Sequence, residues 1–274
     1  MPLKLMYITN KPAVARIAES AGVDRIFVDM EYIGKSERQG GMDTVQSRHT
    51  LDDVAAIRAV ISKSELMVRC NPIHEASDEY PGSEAEIEGI IARGADVIML
   101  PYFKTVEEVR RFVQLVDGRA ITLPLVETPE AVAVIDELLE LDGIDEIFVG
   151  LNDLSLGYGM KFMFELLANG TVEMLCDKFR AKGIPYGFGG IASLGKGILP
   201  SEKVIAEHYR LGSTCTILSR SFCNVNKIPD LATIGDIFMT GVKAIRDYEK
   251  FCSEQDADFF RDNMEDVKIC VARV

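Results

Sequence analysis

The feature that most constrains the fold of this 274-residue chain is a pattern that recurs eight times: a short apolar run followed by a stretch with helical periodicity. The pattern is typical of βα units built around a parallel sheet. The predicted strands are the apolar runs at residues 3–9, 25–31, 65–71, 96–102, 120–127, 146–152, 184–190 and 215–221. Eight such units match a closed (β/α)8 barrel, the TIM barrel, better than an open doubly wound sheet.

We expect one domain to hold the whole chain, residues 1–274. The barrel should occupy about residues 3–229, and the stretch of about residues 230–274 is predicted to add extra C-terminal helices. No Pro- or Ser-rich linker divides the sequence. Hydrophobic residues make up 47% of the chain and charged residues 27%, which supplies enough apolar material for a buried core and excludes intrinsic disorder.

The balance of charge narrows the range of partners. Asp and Glu number 43 against 30 Lys and Arg, so the formal net charge is −13. A field of this sign repels the phosphate backbone of nucleic acids and anionic membrane surfaces, and we expect neither as a partner. An anionic substrate would need a local positive site, for which a metal ion or a buried arginine is the candidate.

The cysteines and the N-terminal sequence bear on the cellular compartment. None of the six cysteines belongs to a CxxC pair or to a spacing typical of a zinc site, so we expect reduced thiols. The start of the chain, MPLKLMYITNKP, lacks the basic and long apolar segments of a signal peptide. No apolar run approaches the ~20 residues of a membrane span. These features predict a soluble cytoplasmic protein.

Two carboxylates end neighbouring predicted strands, in the segments ITLPLVETPEAV and IDEIFVGLNDLSLGYG. In the first segment Leu123, Leu125 and Glu127 share one face, so an acid terminates an inward apolar row. Asp153 ends the next strand in the same way. Because adjacent strands lie ~4.8 Å apart, both carboxylates can reach one cation, and oxygen ligands suit Mg2+ or Mn2+. The alternative is that both acids cap the helices that follow them.

Charged residues also end the second and third predicted strands. Arg69 follows an apolar row in ELMVRCNP, where its guanidinium can donate to a keto or enolate oxygen and stay charged. In RIFVDMEYIGK, Asp29 and Glu31 alternate with Phe27 on one face. A salt bridge from Arg69 to either acid is the alternative, and it is compatible with catalysis because a pre-oriented arginine needs a carboxylate partner. Asp29 is predicted to orient a base or a metal-bound water.

The motifs DxE, VR, GADxIMLP, ETPEA and GxxDLSxGYG occur in this order, and through them the chain resembles the HpcH/HpaI aldolase/citrate lyase family of metal-dependent pyruvate-type aldolases. The resemblance covers roughly residues 4–221, and ETPEA and GLNDLSLGYG are its most telling parts. It implies a barrel with a divalent cation on Glu127 and Asp153. Mg2+ and Mn2+ are the implied metals, with Co2+ as a third candidate.

The same resemblance implies the substrate contacts. It places Arg69 on the keto oxygen of a 2-keto acid, and the backbone N–H groups of Leu151, Asn152 and Asp153 on the substrate carboxylate. The start of a helix supports such an arrangement physically, because its N–H groups attract anions. A homo-oligomer is implied as well, with a hexamer as one candidate.

One position departs from the family pattern. The family commonly has Asp-x-Glu-His after the second strand, with the histidine as acid and base, whereas this chain has Asp29-Met30-Glu31-Tyr32. A tyrosine with a pKa near 10 is a poor base at neutral pH. Either a metal-bound water or another residue would replace it. His49, in the enlarged loop after this strand, is the candidate substitute, although an ordinary exposed histidine is the alternative. His74 is a weaker candidate, and His208 is predicted to be structural.

These residues predict a metal-dependent carbon–carbon lyase, an aldolase that joins or separates a 2-keto acid enolate and an aldehyde. Arg69, Asp29, His49 and Tyr32 form its predicted catalytic set. Two rival functions remain open. A Schiff-base aldolase would need a lysine inside the barrel, for which Lys104 is the candidate. A non-catalytic barrel that binds a keto acid and a metal would have lost the histidine base, with Tyr32 as the mark of that loss.

Two further polar segments could contact the remainder of the substrate. Lys35, Arg38 and Gln39 follow the second strand and could recognise the aldehyde, although solvated loop charge is the alternative. The glycine-rich segment GFGGIASLGKG at residues 187–197 lies where barrels often bind phosphate. Glycines at strand ends also serve close packing, which is the interpretation we favour for this segment.

Overall fold

The structure is a computed structural model, which describes residues 2–34, 47–228 and 230–274. Eight parallel strands form a closed barrel in which each strand pairs with its neighbours in the sequence and β1 pairs with β8. The strands are β1 (Lys4–Ile8), β2 (Arg25–Asp29), β3 (Glu65–Arg69), β4 (Val97–Leu100), β5 (Ile121–Val126), β6 (Ile147–Val149), β7 (Tyr186–Ile191) and β8 (Cys215–Leu218). The predicted (β/α)8 barrel is confirmed, and every predicted strand is present.

Helices surround the barrel and follow its last strand. Within the described residues they are α1 (Pro12–Ser20), α2 (Leu51–Arg58), α3 (Ser83–Ala92), α4 (Val106–Val116), α5 (Pro129–Ala133), α6 (Ile135–Leu138), α7 (Leu151–Gly157), α8 (Glu165–Ala168), α9 (Thr171–Lys182), α10 (Ser201–Leu211), α11 (Leu231–Ser253) and α12 (Ala257–Val271). The last two are the predicted C-terminal helices.

Local sequence features determine where several helices begin. Thr50 and Thr105 each accept a hydrogen bond from the N–H group three residues ahead, at Asp53 and Glu108, whose carboxylates accept in turn from the threonine N–H. This capping box satisfies N–H groups that the first turn of a helix leaves without a partner. Pro129 begins α5, at a position where a missing N–H costs nothing. The carboxyl ends of the strands therefore lead into helices with defined starts.

The strands separate two apolar cores. The first fills the barrel and consists of inward-facing side chains, namely Met6, Phe27, Met67, Val97, Met99, Leu123, Leu125, Phe148 and Cys215. The second lies between the strands and the helices, and the alternate residues of β2, Ile26 and Val28, belong to it. Successive side chains of a strand point to opposite sides, one toward the barrel interior and the next toward the helices, so both faces of each strand are buried. This explains why the strands appear in the sequence as continuous apolar runs.

A buried arginine closes the amino-terminal end of the barrel. Arg25 is fully buried, donates hydrogen bonds of 2.6 and 2.7 Å to Glu146, and donates a third of 2.6 Å to Glu65. Lys4 lies 3.4 Å from the same Glu146 carboxylate. Burial acts to raise the pKa of Glu146, but the hydrogen bonds and charge of Arg25 and Lys4 outweigh it and lower the pKa. This network lies at the end of the barrel opposite the predicted site.

Helix α11 holds the first strand of the barrel. Glu249 accepts a hydrogen bond of 2.6 Å from the N–H group of Leu3. Arg246 donates over 2.7 Å to the carbonyl oxygen of Leu3 and over 2.7 Å to the carboxylate of Asp24. The C-terminal helices are therefore bonded into the barrel, because both backbone groups of the residue that precedes β1 are bound to α11.

Three connections that follow strand ends are long in the sequence, at residues 32–50, 72–82 and 154–170. Residues 72–82 are irregular, whereas residues 154–170 contain the end of α7 and the short helix α8. Residues 35–46 of the connection that follows β2 lie outside the described residues, and Lys35, Arg38 and Gln39 are among them.

Close packing accounts for two glycines of the segment at residues 187–197. A Cβ added at Gly187 would lie 2.3 Å from the carbonyl oxygen of Cys215 on the neighbouring strand. One added at Gly189, where φ is +56°, would lie 2.8 Å from the Leu151 side chain. These contacts support the packing interpretation over the phosphate-binding one, because no side chain larger than hydrogen fits at either position.

The state of the thiols and the length of the helices bear on the compositional expectations. All six cysteines have free thiols, and five of the six are buried. Within the part of the chain that the structure describes, no helix combines the length and the apolar character needed to cross a membrane.

Replacing Glu146 with Gln is expected to destabilise the fold by roughly 3–5 kcal/mol at neutral pH, because it removes one partner of a buried ion pair. The lowered pKa of Glu146 means that its carboxylate contributes stability above the unfolded-state pKa of about 4.3. That contribution is lost as the pH falls through the folded-state pKa. Urea denaturation of wild type and Glu146→Gln should therefore give free energies of unfolding that differ at neutral pH and converge in acid.

Glu140→Gln is the matched control for this measurement. Glu140 forms an exposed ion pair with Lys182 and should lose at most about 1 kcal/mol. Equal losses in the two variants, or a Glu146→Gln effect that persists at acid pH, would contradict the assignment of Arg25 and Glu146 as a buried stabilising pair.

Candidate active site

Arg69 and Asp29 face each other at the carboxyl ends of paired strands. In the parallel register of β2 and β3, Asp29 is the partner of Arg69. Arg69 donates from Nε to Asp29 Oδ1 over 2.8 Å and from Nη2 to Oδ2 over 2.7 Å. This two-point contact fixes the plane of the guanidinium. Burial acts to lower the pKa of Arg69, but Asp29 and Glu31 raise it well above its usual range, so the side chain stays charged.

Glu31 gives Arg69 a second acidic partner. It is fully buried, and its Oε2 lies 3.4 Å from the Nε atom of Arg69. The N–H group of Glu31 donates to Asp29 Oδ1 over 3.2 Å. The guanidinium carbon of Arg69 also lies 5.4 Å from the ring centroid of Phe27, within range of a cation–π interaction. The salt bridge that we considered as an alternative is therefore present, and it holds Arg69 at the mouth of the barrel.

Glu127 follows β5 directly and is only 4% exposed. Its Oε1 accepts a hydrogen bond of 2.9 Å from the N–H group of Tyr102, whose φ of 49° is rare for a residue other than glycine. Burial raises the pKa of Glu127 well above its usual range, and the charges of Glu31 and Asp153 raise it further. Arg69 and the Tyr102 hydrogen bond act in the opposite direction. Additional positive charge would stabilise this carboxylate.

Asp153 lies in the first turn of helix α7. The sequence predicted that it would end a strand, and that prediction is wrong. The reason is that β6 ends at Val149, and Gly150 is already the N-cap of the helix. Asp153 is half-buried, and Asn152 donates to its Oδ1 over 3.0 Å. The helix start still brings Asp153 close enough to Glu127 for their charges to repel each other.

The first backbone hydrogen bond of α7 runs from Leu154 N–H to the carbonyl of Gly150, over 3.1 Å. The N–H groups of residues 151–153 therefore precede the hydrogen-bond ladder of the helix and point toward its start. This is where the family resemblance implies that a substrate carboxylate binds. A helix start is favourable for an anion because the N–H dipoles converge there.

Gly150 makes room for the Glu127 side chain. A Cβ added at this glycine would lie 2.8 Å from Glu127 Cβ, 3.0 Å from Glu127 Oε2 and 3.1 Å from Leu125 Cδ1. Any larger residue would therefore press on the carboxylate. We did not single out this glycine in the sequence, although it is the first residue of the GLNDLSLGYG motif.

The carboxylates of Glu127 and Asp153 fit a divalent cation in charge and in donor type. They repel each other in a buried place, and a cation between them would remove both that repulsion and much of the burial penalty. Carboxylate oxygens are the donors that Mg2+ and Mn2+ prefer. Among the described residues, no three His, Cys, Asp or Glu side chains form a metal-binding group. Within this part of the chain, Glu127 and Asp153 are therefore a pair of candidate ligands rather than part of a larger cluster.

Two of the cavities at the mouth of the barrel meet at Arg69 and Asn152. The inner cavity, of about 250 Å3, is lined by residues that include Arg69, Glu127, Leu151, Asn152 and Asp153. The outer cavity, of about 350 Å3, shares Arg69, Asn152 and Ile217 with the inner one and reaches the ends of β1 and β8; its lining also includes Asp29 and His49. The structure therefore brings all the predicted substrate and metal residues into the inner cavity, and three of the four predicted catalytic residues, Arg69, Asp29 and His49, line the outer one.

His49 lies beside Asp29 and is half-buried. Its Nδ1 accepts a hydrogen bond of 2.9 Å from the backbone N–H of Asp29. A neutral imidazole whose Nδ1 accepts carries its proton on Nε2, so Nε2 can donate but cannot accept a proton. The position that we predicted for His49 on the active face agrees with the structure. The hydrogen bond from Asp29 N–H to Nδ1 favours a role for His49 as a hydrogen-bond donor through Nε2, and not as the base that the sequence suggested.

Tyr32 is set apart from this cluster. Its side chain is 41% exposed, and its ring lies 5.5 Å from that of Tyr80. Burial raises the pKa of the Tyr32 phenol, and the charge of Glu86 adds to the increase, so the group is protonated at neutral pH. The backbone of Tyr32 is fixed by Asn71, whose side-chain oxygen accepts a hydrogen bond of 2.9 Å from Tyr32 N–H. Among the described lining residues of the inner and outer cavities, Tyr32 does not occur.

The other two histidines have structural contacts. His74 lies in an irregular loop, where its ring nitrogens are 2.8 and 2.7 Å from the carbonyl oxygens of Pro72 and Pro81. His208 is fully buried and stacks on Phe188 with ring centroids 3.8 Å apart. Burial lowers the pKa of His208 to about 3, so its ring stays neutral. Neither His74 nor His208 lines the inner or the outer cavity. For His208 this agrees with the structural role that the sequence predicted.

A sequence model of one protein family, described as HpcH/HpaI aldolase/citrate lyase, matches residues 4–167, which is more than half of the chain. This chain belongs to the HpcH/HpaI aldolase/citrate lyase family. The matched region contains the ends of β1 to β6 and the start of α7, and it therefore includes Arg69, Glu127 and Asp153.

Solved structures of this family have the same fold. An HpcH/HpaI aldolase from Desulfitobacterium hafniense DCB-2 is 16% identical, with a TM-score of 0.59, and covers 93% of this chain and 95% of its own. An HpcH/HpaI aldolase/citrate lyase family protein from Burkholderia cenocepacia J2315 is also 16% identical, with a TM-score of 0.62, over 85% of this chain and 94% of its own. At this identity the likeness concerns the barrel fold.

A curated relative shares a short and more similar stretch. The hydroxypyruvate/pyruvate aldolase of Rhizorhabdus wittichii is 51% identical over 39 residues, which is 14% of this chain and 16% of that relative. The match spans about a sixth of the relative's length.

Gly150→Ala is expected to lower the free energy of unfolding by roughly 1–3 kcal/mol, because the added Cβ overlaps the side chains of Glu127 and Leu125. Gly235→Ala is the control, since Gly235 lies within α11 with no atom within 4 Å of an added Cβ. That control should gain up to about 1 kcal/mol from better helix propensity. Equal stability of the two variants in urea denaturation would show that Gly150 is not crowded by Glu127.

Proposed function

We propose that this chain is a divalent-metal-dependent carbon–carbon lyase that forms or cleaves the bond between a pyruvate-like 2-keto acid enolate and an aldehyde. The observation that carries the proposal is the inner cavity, where a guanidinium, two carboxylates and the start of a helix meet. Membership of a family of aldolases and citrate lyases supports carbon–carbon bond chemistry. The activity named for the Rhizorhabdus wittichii relative supports a pyruvate-type substrate.

Glu127 and Asp153 are the proposed ligands of the cation, Mg2+, Mn2+ or Co2+. When bound there, the cation would supply a Lewis acid for the oxygens of the 2-keto acid. The protein prepares the site in two ways. The Tyr102 N–H group holds one oxygen of Glu127, and the missing side chain at Gly150 leaves space beside the other.

Arg69 is proposed to bind the keto oxygen of the substrate. Negative charge develops on this oxygen as the enolate forms, and a guanidinium that is already held in place stabilises it without reorganising. Asp29 and Glu31 provide that support from two sides. Asp29 is thus a positioning residue in this proposal, since both of its oxygens are bonded to Arg69.

The carboxylate of the 2-keto acid is proposed to lie against the N–H groups of Leu151, Asn152 and Asp153. All three residues line the inner cavity together with Arg69, so one small molecule can contact Arg69 and the start of α7 at once. The helix start compensates the negative charge of the carboxylate through the dipoles of its N–H groups.

His49 is proposed to donate a hydrogen bond from Nε2 to the aldehyde oxygen. That oxygen gains negative charge as the carbon–carbon bond forms, and a neutral imidazole N–H is a suitable donor to it. The Asp29 N–H group fixes the required tautomer by donating to Nδ1. His49 lines the outer cavity, which we assign to the aldehyde.

The Schiff-base alternative has less support. Lys104 is 45% exposed at its side chain and lies 3.0 Å from Glu130. The hydrogen bond with Glu130 raises the pKa of Lys104, so a smaller fraction of the amine is deprotonated and able to attack a carbonyl. The non-catalytic alternative predicts binding of pyruvate without exchange of its methyl protons, which the next experiment measures.

With Mn2+ bound, the protein should catalyse exchange of the pyruvate methyl protons in D2O, which NMR measures. EDTA should abolish this exchange. Glu127→Gln and Asp153→Asn should each weaken Mn2+ binding by roughly a hundredfold or more.

Because burial and nearby acids raise the pKa of Glu127, Mn2+ affinity should increase with pH as this carboxyl loses its proton. Calorimetry of Mn2+ binding at several pH values measures this directly.

Two variants control this experiment. Glu107→Gln removes an exposed acid that pairs with Arg110 and should keep metal affinity and exchange. Lys104→Ala should also keep exchange, whereas a Schiff-base enzyme would lose it and would form a borohydride-trapped adduct in the wild type. Exchange that survives EDTA, or that survives in Glu127→Gln and Asp153→Asn with unchanged Mn2+ affinity, would refute the proposed metal site.

His49→Ala is expected to separate the two halves of the reaction. Aldehyde addition should fall by about a hundredfold or more, which is the usual cost of removing one donor to a developing oxyanion. Exchange of pyruvate methyl protons should continue, since that step does not involve the aldehyde. A parallel loss of both activities, measured on the same preparation, would assign His49 the role of base instead.

A further inference from the structure

We propose that Tyr102 is a positioning residue of the cation site and acts through its backbone: the left-handed conformation of Tyr102 holds Glu127 in the orientation that binds the metal. The inference rests on the proposed function, in which Glu127 is a ligand of the cation. It assigns part of the metal affinity to a torsion angle just after β4, one strand away from the ligand itself.

The backbone of Tyr102 is in a conformation that its residue type disfavours. Among the residues that the structure describes, Tyr102 and Asp117 are the two residues other than glycine with a positive φ, of 49° and 50°. A side chain costs free energy in this region because its Cβ approaches the following carbonyl oxygen. Asp and Asn tolerate the region, whereas a bulky aromatic residue rarely adopts it. Strain of this kind persists where neighbouring contacts impose it, and it is concentrated at functional sites.

The chain is held on both sides of Tyr102. On the amino side, Leu100 belongs to β4, and the ring of Pro101 fixes its φ at about −65°. On the carboxyl side, Phe103 is buried, and its carbonyl oxygen accepts a hydrogen bond of 2.8 Å from the hydroxyl of Thr128. The change of direction between the strand and the segment that leads to α4 therefore falls on Tyr102.

The same turn brings a hydrogen-bond donor to Glu127. The N–H group of Tyr102 donates to Glu127 Oε1 over 2.9 Å, and Thr128, the next residue, binds the carbonyl oxygen of Phe103. Because φ sets the angle between an N–H group and the chain that follows it, both bonds form together at the φ of Tyr102. At the negative φ that most residues prefer, either the N–H group leaves Glu127 or Phe103 leaves Thr128.

The side chain of Tyr102 takes no part in this hydrogen bond. Tyr102 lines a third cavity, of about 480 Å3, together with residues that include Lys104 and Glu130. The Lys104 ammonium lies 5.4 Å from the centroid of the Tyr102 ring. Among the described residues that line the inner cavity, Tyr102 does not occur. Its contact with Glu127 is therefore a backbone contact, which another residue could make if it tolerates a positive φ.

Residues that differ in their tolerance of a positive φ test the proposal at position 102. Tyr102→Gly removes the ring and permits the conformation, whereas Tyr102→Val removes the ring and disfavours it, since Val is β-branched. Calorimetry should show that Tyr102→Gly binds Mn2+ at least about tenfold more tightly than Tyr102→Val, as is usual for a residue that orients a metal ligand. Tyr102→Asn should resemble Tyr102→Gly, because Asn also tolerates the conformation.

Tyr102→Ala keeps the test valid if the valine variant does not fold. Alanine and glycine differ by one methyl group, so their comparison isolates the backbone. In urea denaturation of the metal-free protein, Tyr102→Gly should have a higher midpoint than Tyr102→Ala, which is the reverse of their order inside a helix. Tyr102→Ala should also bind Mn2+ more weakly than Tyr102→Gly.

Asp117 provides the matched control because it has the same backbone conformation far from the cation site. It is the C-cap of α4, where its N–H group donates to the carbonyl oxygen of Val113 over 2.9 Å. The six residues of β5 separate it from Glu127, which places it on the order of 20 Å away. Asp117→Gly should be more stable in urea than Asp117→Val, and both should bind Mn2+ as the wild type does.

Equal Mn2+ affinity of folded Tyr102→Gly and Tyr102→Val would overturn the inference. If both match the wild type, Tyr102 does not position Glu127, and if both are equally weak, its ring does so. In either case weaker Mn2+ binding by Glu127→Gln still supports the proposed function. A wild type that does not bind Mn2+, or a Glu127→Gln variant that binds it as tightly, would overturn the proposed function and this inference with it.

Discussion

Four carboxylates lie around one guanidinium at the mouth of this barrel, and the character of the site follows from that imbalance of charge. Asp29 and Glu31 are within ion-pair distance of Arg69, whereas Glu127 and Asp153 repel each other. A buried carboxyl in this setting either keeps a proton or gains a cation. A divalent cation held by these two acids would keep Glu127 ionised and would supply a Lewis acid in the same place. The proposed metal dependence thus has an electrostatic origin that is independent of family membership.

Backbone groups orient most of the side chains in the site. The N–H groups of Tyr102, Asp29 and Glu31 are bonded to Glu127, His49 and Asp29 respectively. Because the strand ends fix the backbone, these side chains are held before any substrate arrives, which reduces the reorganisation that catalysis requires. Such donors have no signature in the sequence, since any residue except proline supplies an N–H group. Their conformation matters and their side chains do not.

This difference explains how much could be predicted from the sequence. The period of the apolar runs predicts a closed parallel barrel, and parallel strands bring their carboxyl ends together, so Arg69 and Glu127 could be placed at its mouth. Asp153 was misplaced by one element, because nothing in IFVGLND marks where the strand ends and the helix begins. His49 is bonded to Asp29 although the two residues are 20 positions apart in the sequence. The outer cavity depends on closure between β1 and β8, which no local pattern reveals.

The bonds between α11 and Leu3 also constrain how the molecule is made. Glu249 follows its partner by 246 positions, so the first strand leaves the ribosome long before the helix that holds it. Until then both backbone groups of Leu3 lack the partners that α11 supplies. The start of β1 therefore gains these bonds only after all eight strands have been synthesised, so this end of the barrel is completed later than the sheet itself.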